Sequence, residues 1–448
     1  MTATANDLPL LEITPFGQHD EERDSVLQSV KPSPGFPAAV RLLADVIDRE
    51  SMTSILDFTP KGVSVRYWMD GIWQRGPLLE RESADFMLAT LKKLAGLNHL
   101  ERRQKQDGKF QVLYKKLKRT VRILSQGVPT GERVAIYLDW KRTPLESVEQ
   151  LGMRPSMQKE LAGVLNNTDT GLVLVSAVPG EGYTTAWRAV LNLSDRLVRD
   201  FYVIEEASLV EPEVINFYSV TFDRSKGEDA MSPITQLLLR QPDVLAFSEL
   251  PDAETIDNVV ELSLDKKKPT FLRSPGKGAV DALLRLLAMG PKSKELVERL
   301  DAVVCMRLIR LLCESCKISF QPPPQLLQKL EIPQGRVGKF YQPNVFKPGT
   351  LDENEKEILP CGTCQGIGFR GQTGLFELMR MTPELRAEIL RKPNLSHLQN
   401  FLKSQNHISL QQEGIVLIAK GVTSLDELQR VLKNQSPNHD SQAQLKIC

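Results

Sequence analysis

Apolar positions first fall into a helical rhythm at Val40, Leu42, Leu43, Val46 and Ile47, which predicts an amphipathic helix over 38–50. The stretch SILDFTPKGVSVRYWMDGIW then alternates apolar and polar residues, with turn signals at Pro60-Lys61-Gly62 and Asp70-Gly71. That is a hairpin pattern. A second helix is expected over Ala84–Ala95. HLERRQKQDGKFQVLY and KRTVRILSQGVPTGERVAIYLD return to strand character, with Asp107-Gly108 read as a turn. Together these elements predict an α+β lobe over 38–140. Residues 1–30 are polar and acidic, a loose arm by composition, and KPSPGFP reads as a Pro-rich linker. Residues 1–37 are therefore expected to be flexible.

The pattern changes at Leu172–Val175, four consecutive apolar residues rich in β-branched side chains. Such a run suits a strand buried on both faces of a parallel sheet. A turn holding Gly180 and Gly182 follows, then a helical pattern from near Thr184. DVLAF (243–247) is a second strand of the same kind. From Thr382 to Leu432 the rhythm is helical again, in PELRAEILRK, LSHLQNFLKSQ, LQQEGIVLIAKG and TSLDELQRVLK. Ser424 and Glu427 have the spacing of a capping box. The tail 436–448 is polar and reads as disordered.

Composition narrows this only a little. A chain of 448 residues with 41% hydrophobic and 25% charged residues fits a globular protein of roughly two to four domains. A net charge of +1 gives no global field for nucleic acid, and no nucleic-acid partner is expected. No apolar run approaches the ~20 residues of a membrane-spanning helix, and the N-terminus lacks a signal peptide's basic start and apolar middle. The expected location is cytoplasmic, with no transmembrane segment.

Strand, glycine turn and helix are the context of a phosphate-binding loop. Against G-x-x-x-x-G-K-[ST], the chain reads Ala177, four residues, Gly182, Tyr183, Thr184. Gly180, Gly182, Tyr183, Thr184 and Thr185 are the candidate nucleotide contacts. The backbone of such a loop still faces an anion. The lysine that would offset charge moving in phosphoryl transfer is a tyrosine, neutral at ordinary pH. The same residues also fit an ordinary Gly-containing turn with no ligand.

VRYWMDG, LNHLERRQKQDG, VRILSQGVPTGERV and the loop occur in the order seen in secretion-type ATPases, the hexameric motors of type II secretion and type IV pilus assembly. The resemblance runs from about residue 38 to 435. It implies a RecA-like P-loop NTPase core over 156–310, joined by a linker at 141–155 to the N-terminal lobe, with nucleotide held between them. It also implies a tetracysteine zinc module over 311–372 and C-terminal helices over 373–435. Arg122 and Lys109 match lobe positions that reach nucleotide in the family, whereas Trp68 stands where another arginine is common. Glu205, with Glu206, ends the strand FYVIEEASL where carboxylates position magnesium and water. A pair of solvated acids at a strand end fits the same residues.

The segment LLLRQPDVLAFSELPDAET carries Glu249 at a strand's carboxyl end, where ligands sit in open α/β sheets. A glutamate there orders attacking water. Glu249 and Asp252 match the family, as does Arg240. Pro251 replaces an arginine, Gln236 another, and Arg273-Ser274 stands where a histidine is expected. No histidine occurs between His99 and His397. With Ala177 and Tyr183, these are five departures at separate motifs. Lys277, in Pro-Gly-Lys-Gly, lacks the strand-turn-helix context of a substitute lysine.

Six cysteines include two CxxC pairs, Cys313/Cys316 and Cys361/Cys364. Four thiolates so spaced satisfy tetrahedral zinc. The 44 residues between the pairs exceed the usual ribbon spacing, so an inserted loop is expected, with QPPPQ and NVFKPGTLDENEK within it. Cys305 reads as core and Cys448 as tail. His397 and His407 read as surface or packed residues rather than ligands.

Two functions of different class follow. One is a pseudo-ATPase, a structural or regulatory subunit that binds ATP or ADP with magnesium weakly and does not turn it over. The other is an active divergent hexameric ATPase, for which Glu249 and Thr184 speak. A zinc-containing scaffold without nucleotide is a third. The resemblance implies a homo-hexamer or a mixed oligomer with a related ATPase, peripheral at the inner membrane beside platform proteins.

Overall fold

The computed structural model describes residues 8–140, 145–167, 171–194, 198–209, 216–250, 252–265, 268–333, 335–346 and 359–433. The chain divides into two units, Met1–Thr143 and Pro144–Gln435.

The first unit runs β1 (Leu11–Thr14), α1 (Asp20–Val30), α2 (Gly35–Asp48), β2 (Thr53–Thr59), β3 (Gly62–Met69), β4 (Ile72–Leu79), α3 (Arg81–Leu94), β5 (Gln106–Tyr114), β6 (Leu117–Val128) and β7 (Gly131–Leu138). Its strands form one antiparallel sheet in the order β1-β5-β6-β7-β2-β3-β4. The helical rhythm of α2 buries Val40, Leu43, Val46 and Ile47, and α3 adds Met87, Leu88 and Leu91.

Three expectations change here. The segment read as a loose arm carries β1, paired with β5 from Leu11 opposite Tyr114, and then α1. Ile13 and Val30 are buried. A backbone ladder and two apolar anchors order a stretch whose composition is polar. The Pro-rich stretch does not remain a linker either, because Pro34 caps α2 and Gly35 begins it. A Cβ at Gly35 would lie 2.0 Å from the Phe86 carbonyl oxygen.

Asp107-Gly108 is not a turn. Both residues lie within β5, with Gly108 opposite Ile123. A Cβ on Gly108 would come within 2.2 Å of the Ala95 carbonyl oxygen, so this glycine answers a close backbone approach. The reversal falls at Lys115-Lys116, where φ is 50° and 65°. Two positive φ values in a two-residue hairpin loop match the right-handed strand twist.

The second unit begins with α4 (Pro155–Leu165), β8 (Leu172–Ala177), α5 (Tyr183–Asn192), β9 (Phe201–Glu206), β10 (Phe217–Phe222), α6 (Ile234–Leu238), β11 (Val244–Phe247), α7 (Ala253–Asp265), β12 (Thr270–Arg273), α8 (Ala279–Ala288), α9 (Ser293–Arg299) and β13 (Leu300–Leu312). It continues with β14 (Ile318–Phe320), α10 (Pro324–Lys329), β15 (Phe340–Gln342), β16 (Phe369–Arg380), α11 (Pro383–Arg391), α12 (Leu395–Ser404), α13 (Leu410–Ala419) and α14 (Leu425–Lys433).

Its main sheet has the order β10-β9-β11-β12-β8-β13-β16, parallel throughout except for β13 with β16. Leu172 and Leu174 share a core with Val259 and Leu283, whereas Val173 and Val175 pack with Leu161 and Trp187. Both faces are covered, which is why the strand reads as a continuous apolar run.

The domain borders read from sequence also shift. Val148, Leu151 and Met153, within the expected linker, are buried in the second unit. β13 and β16 cross the borders placed at 311 and 373, because the two strands pair along their length at the edge of the main sheet. Of the expected insert, residues 318–342 carry α10 and the two-stranded sheet β14-β15. Residues 347–358 and the tail from 434 lie outside the described residues. Among the described residues no helix is long and apolar enough to cross a membrane.

Ser424 Oγ accepts from Glu427 N at 3.2 Å. The Glu427 carboxylate reaches Arg310 and Arg430. The sequence reading missed a full capping box at Ser409 and Gln412, which opens α13.

Candidate functional site

Parallel topology brings the carboxyl ends of β8, β9, β11 and β12 to one edge of the sheet. The loop after β8 turns through Glu181 N to Val178 O at 2.9 Å. Gly180 and Gly182 take φ of +81° and +78°, a conformation that favours glycine. Gly182 caps α5, so Tyr183, Thr184 and Thr185 form its first turn.

Among the described residues, Arg273 and Arg307 meet this loop. Arg273, the last residue of β12, places its guanidinium 3.9 Å from the Tyr183 ring centroid and 5.9 Å from that of Trp187. Its Nη2 donates to Thr184 Oγ1 at 3.2 Å. Arg307, buried on β13, holds Glu181 of the loop at 2.8 Å and donates to the Lys277 carbonyl at 3.4 Å.

The acids at this edge are engaged. Glu249, just past β11, pairs with Arg224 at 2.7 Å. Glu205 accepts from Ser219 at 2.8 Å, and Glu206 accepts from Ser208. Asp252 Oδ1 accepts from Thr255 N at 2.8 Å, at the start of α7.

The cysteines converge between β13 and β16. The sulfurs of Cys313, Cys316, Cys361 and Cys364 all lie within 4.8 Å of one another, with Cys313–Cys361 at 3.9 Å and Cys316–Cys364 at 3.6 Å. Bonds of about 2.3 Å to a tetrahedral zinc imply sulfurs about 3.8 Å apart, so the set fits such an ion. The backbone N–H groups of Cys364 and Thr363 hold the Cys361 thiol down at about 6. Burial pushes Cys313 and Cys316 up. Gly368 N also donates to Cys364 Sγ at 3.2 Å. Cys305 is fully buried and stands apart from the cluster.

Residues 38–430 match the profile of the family described as Type II/IV secretion system protein. The chain belongs to that family. It is 26% identical over 398 residues to the Type IV pilus assembly ATPase PilB of Pseudomonas aeruginosa, covering 88% of this chain and 67% of that relative. It is 27% identical over 393 residues to the putative type II secretion system protein E of Escherichia coli, covering 87% and 75%. The X-ray structure of the Legionella pneumophila ATPase DotB shares the fold, with a TM-score of 0.51 at 13% identity over 90% of this chain and 96% of that one.

In this secretion-family chain the residues singled out from sequence do not all assemble. Arg240 is exposed and precedes β11, so it lies at the edge where the strands begin, away from the loop. Gln236 is exposed on α6. Arg122 belongs to the first unit, where it pairs with Asp107 and stands opposite Lys109 in the ladder. Pro251 lies outside the described residues.

The sequence reading noted Arg273 only as a missing histidine, and it missed Arg307, Glu181 and Arg224. A signal was there for the first two of these arginines. Arg273 ends an apolar strand, and Arg307 interrupts one, and a buried charge requires a partner.

Lys277 lines a separate cavity of about 1190 Å³ beside α8, α12 and α13. His407, at the same cavity, hydrogen-bonds Glu377 at 3.1 Å, and His397 meets Glu388 at 2.6 Å. Both histidines are packed against carboxylates.

Proposed function

We propose that this chain is a subunit of a type II secretion or type IV pilus class of machine that keeps the RecA-like core as a structural or regulatory part and does not turn over ATP. The observation that carries the reading is Tyr183, which stands in the lysine's place with its ring covered by Arg273 at 3.9 Å. A tyrosine there leaves charge developing on a transferred phosphoryl group unmatched, a deficit on the order of 100-fold or more in rate.

Two neighbouring cations are already committed. Arg307 is held by Glu181, and Arg224 occupies Glu249. Gly180, Gly182, Thr184 and Thr185 would supply the contacts to a diphosphate. Glu249 and Glu205 are the acids nearest in role to catalytic ones.

The four cysteines would hold a structural Zn²⁺, with all four positions filled by protein. The family resemblance supports assembly as a homo-hexamer or mixed ring with a related ATPase, cytoplasmic and beside inner-membrane platform proteins. Lobe residues such as Arg122 would then approach nucleotide in the assembled ring.

Active hydrolysis is the second reading, favoured by the retained Glu249 and Thr184. ATP turnover by the purified chain with magnesium separates the two. No detectable hydrolysis is expected. Steady hydrolysis that vanishes in Glu249→Gln would overturn the proposal.

A further inference from the structure

We infer that the cavity beside α8, α12 and α13 docks an acidic amphipathic helix from another polypeptide. Its volume is about 1190 Å³, above the roughly 300–1,000 Å³ of small-molecule sites and in keeping with a segment of chain. The walls come from three places distant in sequence. They are the start of α8, the α10–β15 stretch that lengthens the spacing between the two CxxC pairs, and helices α12 and α13. The insert between the cysteine pairs thus forms one wall of a groove.

The floor is aliphatic. Leu330, Ile332, Val337, Ile415 and Leu432 line it and stay half-buried, and all five pack against the same small core. The apolar stripe of an amphipathic helix lays into such a floor. Nucleic acid would need open aromatic faces on which to stack its bases. The one phenol ring in the lining, Tyr341, is already covered by Lys317 Nζ at 4.7 Å. A concave site also suits an inserted helix better than the plane of a bilayer.

The rim is basic. Lys277, Lys329, Arg336, Lys339 and Lys420 stand exposed around it, and among the described residues none of these side chains meets a carboxylate. The acids of the same lining are engaged elsewhere. Glu331 pairs with Lys403 at 2.7 Å, Asp281 with Arg285 at 2.9 Å, and Glu377 with His407 at 3.1 Å. Cations of one sign around a cleft with apolar walls focus their field into it. The groove is therefore positive although the whole chain carries only +1. Carboxylates on the polar face of a bound helix would meet this rim while its apolar stripe covers the floor.

The test is a fluorescence-anisotropy titration of the purified full chain against labelled helical peptides of about 20 residues. One peptide carries leucine at i, i+3, i+4 and i+7 with glutamate and alanine elsewhere. A second has lysine at every glutamate position. The glutamate peptide should bind at least about tenfold more tightly than the lysine peptide, and its affinity should fall as salt is raised. The double reversal Arg336→Glu with Lys339→Glu should weaken the glutamate peptide about tenfold or more and should strengthen the lysine peptide. That gain separates a changed rim from a misfolded chain.

Equal affinity for the two peptides would overturn the inference. So would no binding of the glutamate peptide up to about 100 μM, or binding that the double reversal leaves unchanged. Phosphatidylglycerol vesicles that bind through the same rim in preference to the peptide would give this face to a membrane instead. Self-association of the chain that the double reversal abolishes would give it to a second copy, and either result would also refute the proposal. None of these measurements involves nucleotide, so their outcome is separate from that of the proposed lack of turnover.

Discussion

The guanidinium of Arg273 lies 3.9 Å from the centroid of the Tyr183 ring, so the residue that replaces a lysine carries a cation borrowed from the neighbouring strand. This relationship changes what restoring the lysine would do. Tyr183→Lys removes a desolvated cation–π contact of about 2 kcal/mol and sets a second positive charge against a buried arginine. Thermal unfolding should show a Tm lower by about 4–8 °C, with ATP turnover still undetected. A variant as stable as the parent that hydrolyses ATP would contradict this.

Metal content is the second prediction. Purified protein should carry about one zinc per chain, and Cys361→Ser should lose it. The loss should loosen the ends of β13 and β16, where the two CxxC turns sit. Elemental analysis well below one zinc per chain, or unfolding unaffected by Cys361→Ser, would refute the site.

The third concerns pH. Burial pushes the Glu427 carboxyl up, but hydrogen bonds from Arg430 and Arg310, together with their charges, hold it below the ordinary 4.5. The folded chain therefore takes up this proton at lower pH than the unfolded chain. The contribution is complete above about 4.5 and is lost as pH falls below it. Glu427→Gln leaves Arg310 buried without its counter-charge and should cost about 3–5 kcal/mol at neutral pH. In denaturant melts this deficit should shrink as the pH is lowered toward about 3. A deficit independent of pH would show that the ion pair does not carry it.

The fourth is local and lies in the first unit. Lys116 holds φ at 65° in the β5–β6 reversal, which costs a side chain about 1–2 kcal/mol. Lys116→Gly should stabilise by about 0.5–1 kcal/mol after its own unfolded-state entropy is counted. Lys115 should stay, since it bonds Asp48 at 2.6 Å. Gly108→Ala should do the opposite, costing about 1–3 kcal/mol or more, because its Cβ meets the Ala95 carbonyl. Urea unfolding of both variants checks the pair.

The sequence by itself determined what depends on local pattern. Helical rhythm located α2, and an uninterrupted apolar run marked β8 as buried on two faces. The CxxC spacing marked each cysteine pair, because each closes a short turn that needs little from the rest of the chain, whereas the pairing of β13 with β16 brings the two pairs together. The loop's departures were legible too, since Ala177 and Tyr183 are read directly against a fixed spacing.

Tertiary structure decided what depends on residues distant in the chain. Gly108 looks like a turn residue until the Ala95 carbonyl is seen against it, and β1 looks like a loose arm until β5 offers it a ladder. Arg273 is 90 residues from Tyr183 in sequence. Their contact exists because β12 is laid beside β8 in the sheet, and that strand order, rather than any periodicity, placed a guanidinium on the tyrosine ring.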